Sequence, residues 1–442
     1  MSRIIRTFPN EPVPPYITHG KGLYLYTADG RKLLDTTAGF TASAILGYSE
    51  PRILDAMRKQ MEKICYIDYK IWSDANRDEL AELLLSKAEH KLNRVYYAGN
   101  SGSEACEAAM KLSYQTHYDS GKKTKTWFIS RMQSYHGATS DALAIGERPN
   151  LRFFEPMLSM KRTKISQHHP KHEMRPGETL DEYARRSAKE LEDKILELGP
   201  ENVCGFIAET IMGGLVGDVP PAPNYWKYTN EVCKKYDVHL ILDEVWCGTG
   251  TSGKVYCCDW DGITPDFICL GKTLAASYCP ISIVITSDKV EDIMTKGQGR
   301  VQHGHTHQAH ALGVAAALAA QKIIHDDDFL KNVQLQGQHI QNRLKAELGS
   351  HEFFFDVRGR GLRQTMEYNC QNQNAFGIKV YEIMEQEHGI LISGKWHRIS
   401  FTPALTIDRK TLDFVLDKLV DTFKKVASSW TSANAAKCVA TK

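Results

Sequence analysis

Two short apolar runs in this sequence end in residues that can do chemistry. Val238-His239-Leu240-Ile241-Leu242 runs into Asp243-Glu244, and Phe267-Ile268-Cys269-Leu270 runs into Gly271-Lys272-Thr273. Short apolar runs of this kind read as buried strands. In an open α/β sheet, ligands sit outside the carboxyl ends of the strands. Acids at such an end can hold Mg²⁺ or cap the following turn. Gly271-Lys272-Thr273 resembles the end of a phosphate loop, but the leading glycine of that motif is absent, so a nucleotide-hydrolase reading fails. A lysine and an acid at neighbouring strand ends suit a cofactor with an aldehyde and a pyridine ring. The lysine can form a Schiff base with the aldehyde, and the acid can keep the ring nitrogen protonated. A protonated ring takes up electrons from the carbon next to nitrogen, which is pyridoxal phosphate chemistry.

That cofactor also needs a phosphate site. Gly99-Asn100-Ser101-Gly102-Ser103-Glu104 falls between a predicted strand and a predicted helix. Free amides and the helix dipole favour a phosphate at such an N-terminus. Gly102 lets the backbone approach, and Ser101 and Ser103 offer hydroxyls. By itself the segment also reads as a turn and a helix cap.

Strands must alternate with helices to bring these segments together. Strand patterns occur at 95–97, 126–130, 203–208, 239–242, 267–270 and 281–285, with helical patterns at 104–118, 180–198 and 225–236. This order predicts an α/β fold with a mostly parallel sheet and helices on both faces. Ahead of it lie an irregular Pro-rich stretch to residue 20 and a hairpin turning at Asp29-Gly30. Helices follow at 50–63 and 74–91, with Ser49 and Ser73 as N-caps. Residues 166–178, rich in Pro and His, read as a solvated surface loop. A helix of small residues at 308–325 leads out, and an α+β unit follows, ending in a tail after residue 428 that should fray. The expected division is an N-terminal segment over 1–65, which serves the small domain and the substrate entrance, a large domain over 66–325 and a C-terminal small domain over 326–442.

Composition narrows the function. The chain has 442 residues, with 55 Lys plus Arg against 53 Asp plus Glu and a formal charge of +2. Such a balance gives no basic stripe for nucleic acid. No apolar run reaches the roughly 20 residues of a membrane helix, and the first residues lack the apolar core of a secretory signal. The 11 cysteines, with no Cys-x-x-Cys pair, read as free thiols in a reducing cytosol, so a cytoplasmic location is expected. His303, His305 and His307 alternate ahead of His310 and could bind zinc on a strand.

Several strings together resemble the class III aminotransferases, of fold type I among pyridoxal phosphate enzymes. They are Asn100-Ser101-Gly102-Ser103-Glu104-Ala105, Ser134-Tyr135-His136-Gly137-Ala138-Thr139, Ile207-Ala208-Glu209, Leu242 to Gly250, Leu270-Gly271-Lys272 and His303-Gly304-His305-Thr306. They occur in family order over about residues 20–410. The resemblance implies a seven-stranded sheet in a large domain, with a small α+β domain built from both chain ends. It implies pyridoxal 5'-phosphate as cofactor, with Lys272 as Schiff-base lysine and proton shuttle and Asp243 against the ring nitrogen. Tyr135 and Val245 would cover the two ring faces, with His136 beside Tyr135, and Glu209 would lie on the phenolic-oxygen side. Ser101, Gly102 and Ser103 would hold the phosphate. Thr306 would reach it from the neighbouring subunit of a homodimer, or of a tetramer, with active sites at the subunit interface. The Gly-His-Thr segment absorbs His305, so no metal site is expected.

One departure bears on the substrate. Family members that use α-amino acids carry an arginine in an Arg-x-x-Pro-Pro-Leu segment, suited to gripping a carboxylate. Aligned on Pro403 and Leu405, that position here is Ser400, and Arg398 lies two residues earlier on the same strand face. Either the strand carries a bulge and Arg398 substitutes, or the acid pocket is rebuilt. Arg363 is a further cation, expected to face solvent or form a salt bridge. Phe40, Tyr69 and Trp72 fall in the region that lines the substrate entrance in the family, where they suit an amine pocket as well as core packing. The expected function is transfer of an amino group from an amine, ω-amino acid, β-amino acid or aminosulfonate to pyruvate or 2-oxoglutarate by a ping-pong cycle. An aminomutase, racemase, decarboxylase or phospho-lyase on the same fold is the near alternative, and a non-catalytic binding protein the distant one.

Overall fold

The computed structural model describes residues 3–395 and 397–430. The final tail from residue 431 therefore lies outside the described residues. Among those described, the central sheet has seven strands. Their spatial order is Arg94–Gly99, Ser282–Thr286, Phe267–Leu270, His239–Asp243, Val203–Glu209, Trp127–Arg131 and Arg162–Ile165. Only Ser282–Thr286 runs antiparallel to its neighbours, so the sheet is mostly parallel, as expected. The central strands are buried along their whole length, which is why they read as continuous apolar runs and not as alternating ones. The Arg162–Ile165 strand was not visible in the sequence. Its four residues, Arg-Thr-Lys-Ile, sit at the sheet edge, where polar side chains are tolerated.

Two smaller sheets flank this core. Ile17–Lys21, Tyr24–Thr27 and Lys32–Asp35 form one with Ile390–Leu391, so segments from both ends of the chain share a sheet. The stretch before residue 21 is thus partly a strand and not wholly irregular. Phe354–Arg360, Arg363–Tyr368, Arg398–Phe401 and Ser393–Lys395 form the other, covered by the helices Asp327–Leu348, Gln373–His388 and Arg409–Ser428. No helix among the described residues is long and apolar enough to cross a membrane.

Local chemistry moves some predicted boundaries. The helices Pro51–Lys63 and Ala75–Ser86 are capped by Glu50 and Asp74, whose carboxylates accept from the Arg52 and Asn76 amides. Ser49 cannot cap, because its φ is 57° and its hydroxyl donates to the Gly20 carbonyl. The second helix stops at Ser86, after the last of its apolar leucines, and not at residue 91. The loop 166–178 is not solvated throughout. His168 lies between Tyr183 and Tyr225 and accepts from the Ala222 amide, and both His168 and His169 are buried.

The turn that carries Phe40 hangs on one carboxylate. Ala38, Gly39 and Phe40 all have positive φ, 45°, 78° and 60°. Asp35 holds them there. Its Oδ1 accepts from the Thr37 amide at 2.7 Å and the Thr37 hydroxyl at 2.6 Å, and its Oδ2 from the Gly39 amide at 2.7 Å and the Tyr48 hydroxyl at 2.6 Å. Hydrogen bonds to a buried charge are worth about 1.5–3 kcal/mol each, but they are not independent. Asp35→Ala should therefore destabilise the protein by about 3 kcal/mol or more, read as a lower midpoint in chemical denaturation. An unchanged midpoint would show that the turn holds without Asp35.

Candidate active site

Three neighbouring strands deliver the reactive side chains. Glu209 and Asp243 end adjacent parallel strands and are direct register partners. Lys272 follows the next strand, Phe267–Leu270, after Gly271. All three face one cavity of about 600 Å³. Its wall also includes Ser101, Gly102, Ser103, Tyr135, His136 and Val245, and it reaches Phe40 and Arg398. Eleven residues expected at the site thus meet in one place. Thr306 and Trp72 do not line this cavity. Both are exposed on the same chain, Trp72 with 66% of its surface free.

Asp243 is buried and held by three groups. Its Oδ2 lies 2.8 Å from His136 Nδ1 and 3.4 Å from the Cys106 thiol, and its Oδ1 accepts from the Val245 amide at 3.0 Å. Glu209 keeps only one bond, from the Gly213 amide to Oε1, and its Oε2 has no partner. Burial raises its carboxyl to about 7, with nearby His136 pulling the other way. Lys272 is half-buried over the Trp246 ring, its Nζ 4.7 Å from the centroid and 5.9 Å from that of Tyr135. Burial and the Arg363 guanidinium lower its ammonium to about 8, against the pull of Asp243 and Glu209. The backbone at Lys272 has φ 33°, a left-handed value for a non-glycine residue. Such strain persists only where packing over-determines it, and it clusters at functional sites.

The phosphate end is built as expected for an anion. Ser101 caps the helix Gly102–Asp119, and the Ser103 hydroxyl accepts from the Ala138 amide. A side chain at Gly102 would bring a Cβ to 2.4 Å from Val245 Cγ1. The Gly102 backbone and Val245 are therefore packed as closely as glycine allows.

The residues around the acid pocket needed correction. The strand Arg398–Phe401 pairs with Arg363–Tyr368 in unbroken register, so there is no bulge. Arg398 and Ser400 both line the cavity, while Ile399 and Phe401 point into the core. Arg398 is buried, donates from Nη2 to the Gly214 carbonyl at 2.8 Å, and is lowered to about 10 by burial and by Arg358. Among the described residues Arg363 neither faces solvent nor forms a salt bridge. It is 1% exposed, donates to the Ala42 carbonyl, leaves Nε and Nη1 without partners, and stacks 4.2 Å from the Trp246 ring. Sequence reasoning missed Trp246, Asp218 and Arg148. The Asp218 carboxylate accepts from Trp246 Nε1 at 2.7 Å and from the Thr365 hydroxyl at 2.8 Å. Arg148 lies 4.5 Å over the Tyr135 ring at the cavity edge. Trp246 stands within the Leu242 to Gly250 string, whereas Asp218 and Arg148 carry no signal in the sequence. His305 turns to the Ala98 carbonyl, and His310 caps the helix Ala311–Ile324.

Comparison with known proteins decides the family. The family described as Aminotransferase class-III matches residues 8–423. The chain belongs to the class III aminotransferases. It is 38% identical over 357 residues to an uncharacterized aminotransferase of Schizosaccharomyces pombe, covering 80% of this chain and 77% of that one. It is 32% identical over 432 residues to gamma aminobutyrate transaminase 2 of Solanum lycopersicum, covering 93% of each. Its fold matches the omega transaminase of Pseudomonas jessenii in complex with PMP, with a TM-score of 0.87 at 29% identity over 94% of this chain and 93% of that one. Class III membership makes the protein a pyridoxal-phosphate-dependent transaminase of fold type I. The cavity fits that cofactor. It offers a half-buried lysine, a carboxylate held in place by its neighbours, an unpartnered Glu209 oxygen and a helix N-terminus closed over by Val245.

A lysine lowered to about 8 has roughly a tenth of its amine neutral at pH 7, against roughly one part in three thousand for an ordinary lysine. Only the neutral amine attacks an aldehyde. Covalent capture of pyridoxal phosphate by the apoenzyme, trapped with borohydride, should accelerate about tenfold from pH 6 to pH 7 and level off above about pH 8. Acceleration continuing to pH 10 would place the Lys272 ammonium at its ordinary value.

Proposed function

We propose that this transaminase moves the amino group of an amine or ω-amino acid to a keto acid, pyruvate or 2-oxoglutarate, in two half-reactions at Lys272. The observation that carries this is the shared cavity, with Lys272, Asp243 and Glu209 at its floor and Arg398 in its wall. When bound, pyridoxal phosphate supplies an aldehyde that captures amines and a ring that takes up the electrons released at the neighbouring carbon. The protein's part is to hold and move protons. Asp243, oriented by His136 and the Val245 amide, would face the ring nitrogen and hold its proton. Lys272 Nζ removes the proton from the donor carbon and delivers it to the cofactor side, a task suited to a group near neutral pH. Tyr135 and Val245 would confine the ring, and the burial of Asp243, His136 and Val245 limits the water that would compete for the proton.

Substrate preference follows from the acid pocket. Ser400 stands where relatives that grip an α-carboxylate carry arginine, and Arg398 faces the cavity on the same strand face. A carboxylate further from the reacting nitrogen then meets Arg398. The Solanum lycopersicum relative's name supports an ω-amino acid donor. Phe40, Tyr135 and Trp246 give the cavity its aromatic walls. The active unit in this reading is a homodimer. Ile71 and Trp72 are 69% and 66% exposed on the single chain, a surface that suits cover by a partner, and Thr306 and Trp72 would complete the partner's site.

The half-reaction tests the proposal. Holoenzyme given an ω-amino acid without any keto acid should release one equivalent of carbonyl product per site and lose its visible cofactor band, and pyruvate or 2-oxoglutarate should restore the band. Lys272→Ala should abolish the exchange with the fold intact. Continuous product formation without an acceptor would exclude transamination of that donor. A charge-assisted pair is worth about 1.5–3 kcal/mol, so Arg398→Ala should raise the KM of the keto acid roughly ten- to a hundredfold, with less effect on an uncharged amine. Unchanged KM for both keto acids would move the carboxylate site elsewhere, with Arg148 and Arg363 next in line.

A further inference from the structure

The His-rich loop after the edge strand Arg162–Ile165 takes no part in the site above. It folds into the short helix Pro170–Glu173, with His169 at its N-cap and His172 within it. His172 Nε2 lies 2.8 Å from Glu367 Oε1, on the strand Arg363–Tyr368. His397, just ahead of the strand Arg398–Phe401, places its Nε2 3.6 Å from the same oxygen. His169 is 3% exposed, its Nδ1 has no hydrogen-bond partner, and its ring meets that of His172 at 4.2 Å. One ligand atom from each of His169, His172 and Glu367 falls within 4.8 Å of the others. Three segments distant in sequence thus bring imidazoles around one carboxylate oxygen.

We propose that His169, His172, His397 and Glu367 form a binding site for a divalent transition metal of the Zn²⁺ class. Imidazole and carboxylate are the ligands such ions take, and a structural zinc site uses four. Zinc holds these ligands at about 2.0–2.2 Å, so their atoms stand roughly 3.3 Å apart in a tetrahedron. The 2.8 and 3.6 Å separations from Glu367 Oε1 to His172 and His397 bracket that value, while His169 and the two other imidazoles have to close in further on the ion. Arg358 donates from Nη1 to Glu367 Oε2 at 2.5 Å and so fixes the carboxylate while leaving Oε1 to the histidines. Arg358 and Arg398 add positive charge near the site, and Asp356, 3.5 Å from Arg358, offsets part of it. His172 and His397, 38% and 33% exposed, leave a path for the ion.

A metal there would act as a clamp. Arg358 also donates to the Val216 and Gly217 carbonyls, in the loop that walls the active-site cavity. The ion would tie the loop after the edge strand to the sheet that carries Arg398.

Chelator-treated holoenzyme titrated with Co²⁺ tests this, with Zn²⁺ as the ion for thermal stability. One equivalent of Co²⁺ per chain is expected, with the visible bands of a four-coordinate nitrogen and oxygen site. Zn²⁺ should raise the unfolding midpoint. His172→Ala combined with His397→Ala, both partly exposed and outside the cavity, should weaken Co²⁺ binding at least about tenfold and remove the Zn²⁺ shift. Equal binding by the wild type and the double variant, no binding by either, or a thiolate-to-cobalt band assigning the ion to cysteine would each overturn the site.

Discussion

Everything at this site depends on holding ionisable groups out of water at the ends of neighbouring strands. Taking a charge from water into the interior costs several kcal/mol unless partners replace the solvent. Asp243 has its partners in His136, the Cys106 thiol and the Val245 amide. Glu209 and Lys272 have fewer, so burial drives both toward their neutral forms, to about 7 and about 8. The same desolvation that destabilises these charges brings an acid and a base close to neutral pH, where proton transfer is easiest in both directions. The register match of Glu209 with Asp243 fixes the spacing, and no loop movement is needed to assemble the floor of the cavity.

The backbone around this floor is tight and locally strained. Lys272, Ala276 and Ser277 take φ values of 33°, 47° and 65°, and a Cβ on Gly271 would meet the Gly102 amide at 3.1 Å. Strain of this kind, on the order of 1–3 kcal/mol per residue, has to be met by packing elsewhere. The strands beneath are fully buried, and the core continues through the helices on both faces. A rigid sheet therefore carries a lysine that the local chain would not hold in this conformation alone.

Charge balance beyond the floor sets the character of the pocket. Arg398 and Arg363 are buried cations, and Asp218 is the carboxylate that most supports both. Trp246 packs against both Lys272 and Arg363, and the Arg363 charge still acts on the Lys272 ammonium and lowers it. Arg398 stands two residues before Ser400, on the same face of a regular strand and about 6.6 Å away, and both residues line the cavity.

The amino-acid sequence alone determined the sheet's central strands and the acid and lysine residues that stand at their ends. Buried strands leave continuous apolar runs, and the acid or lysine that closes each run stands out against them. The small glycine-serine turn before the helix Gly102–Asp119 was legible for the same local reason, as a cap with open amides. The edge strand Arg162–Ile165 escaped because its polar residues carry no apolar pattern. Only the tertiary structure decided which charged residues are buried. Arg363 sits in Arg358-Gly359-Arg360-Gly361-Leu362-Arg363, a run that looks like solvated surface, yet its guanidinium packs on Trp246. Asp218 finds its partners 28 and 147 positions away, and His172 finds Glu367 at 195. Polar burial depends on partners that long-range packing delivers, and no periodicity within a segment encodes them.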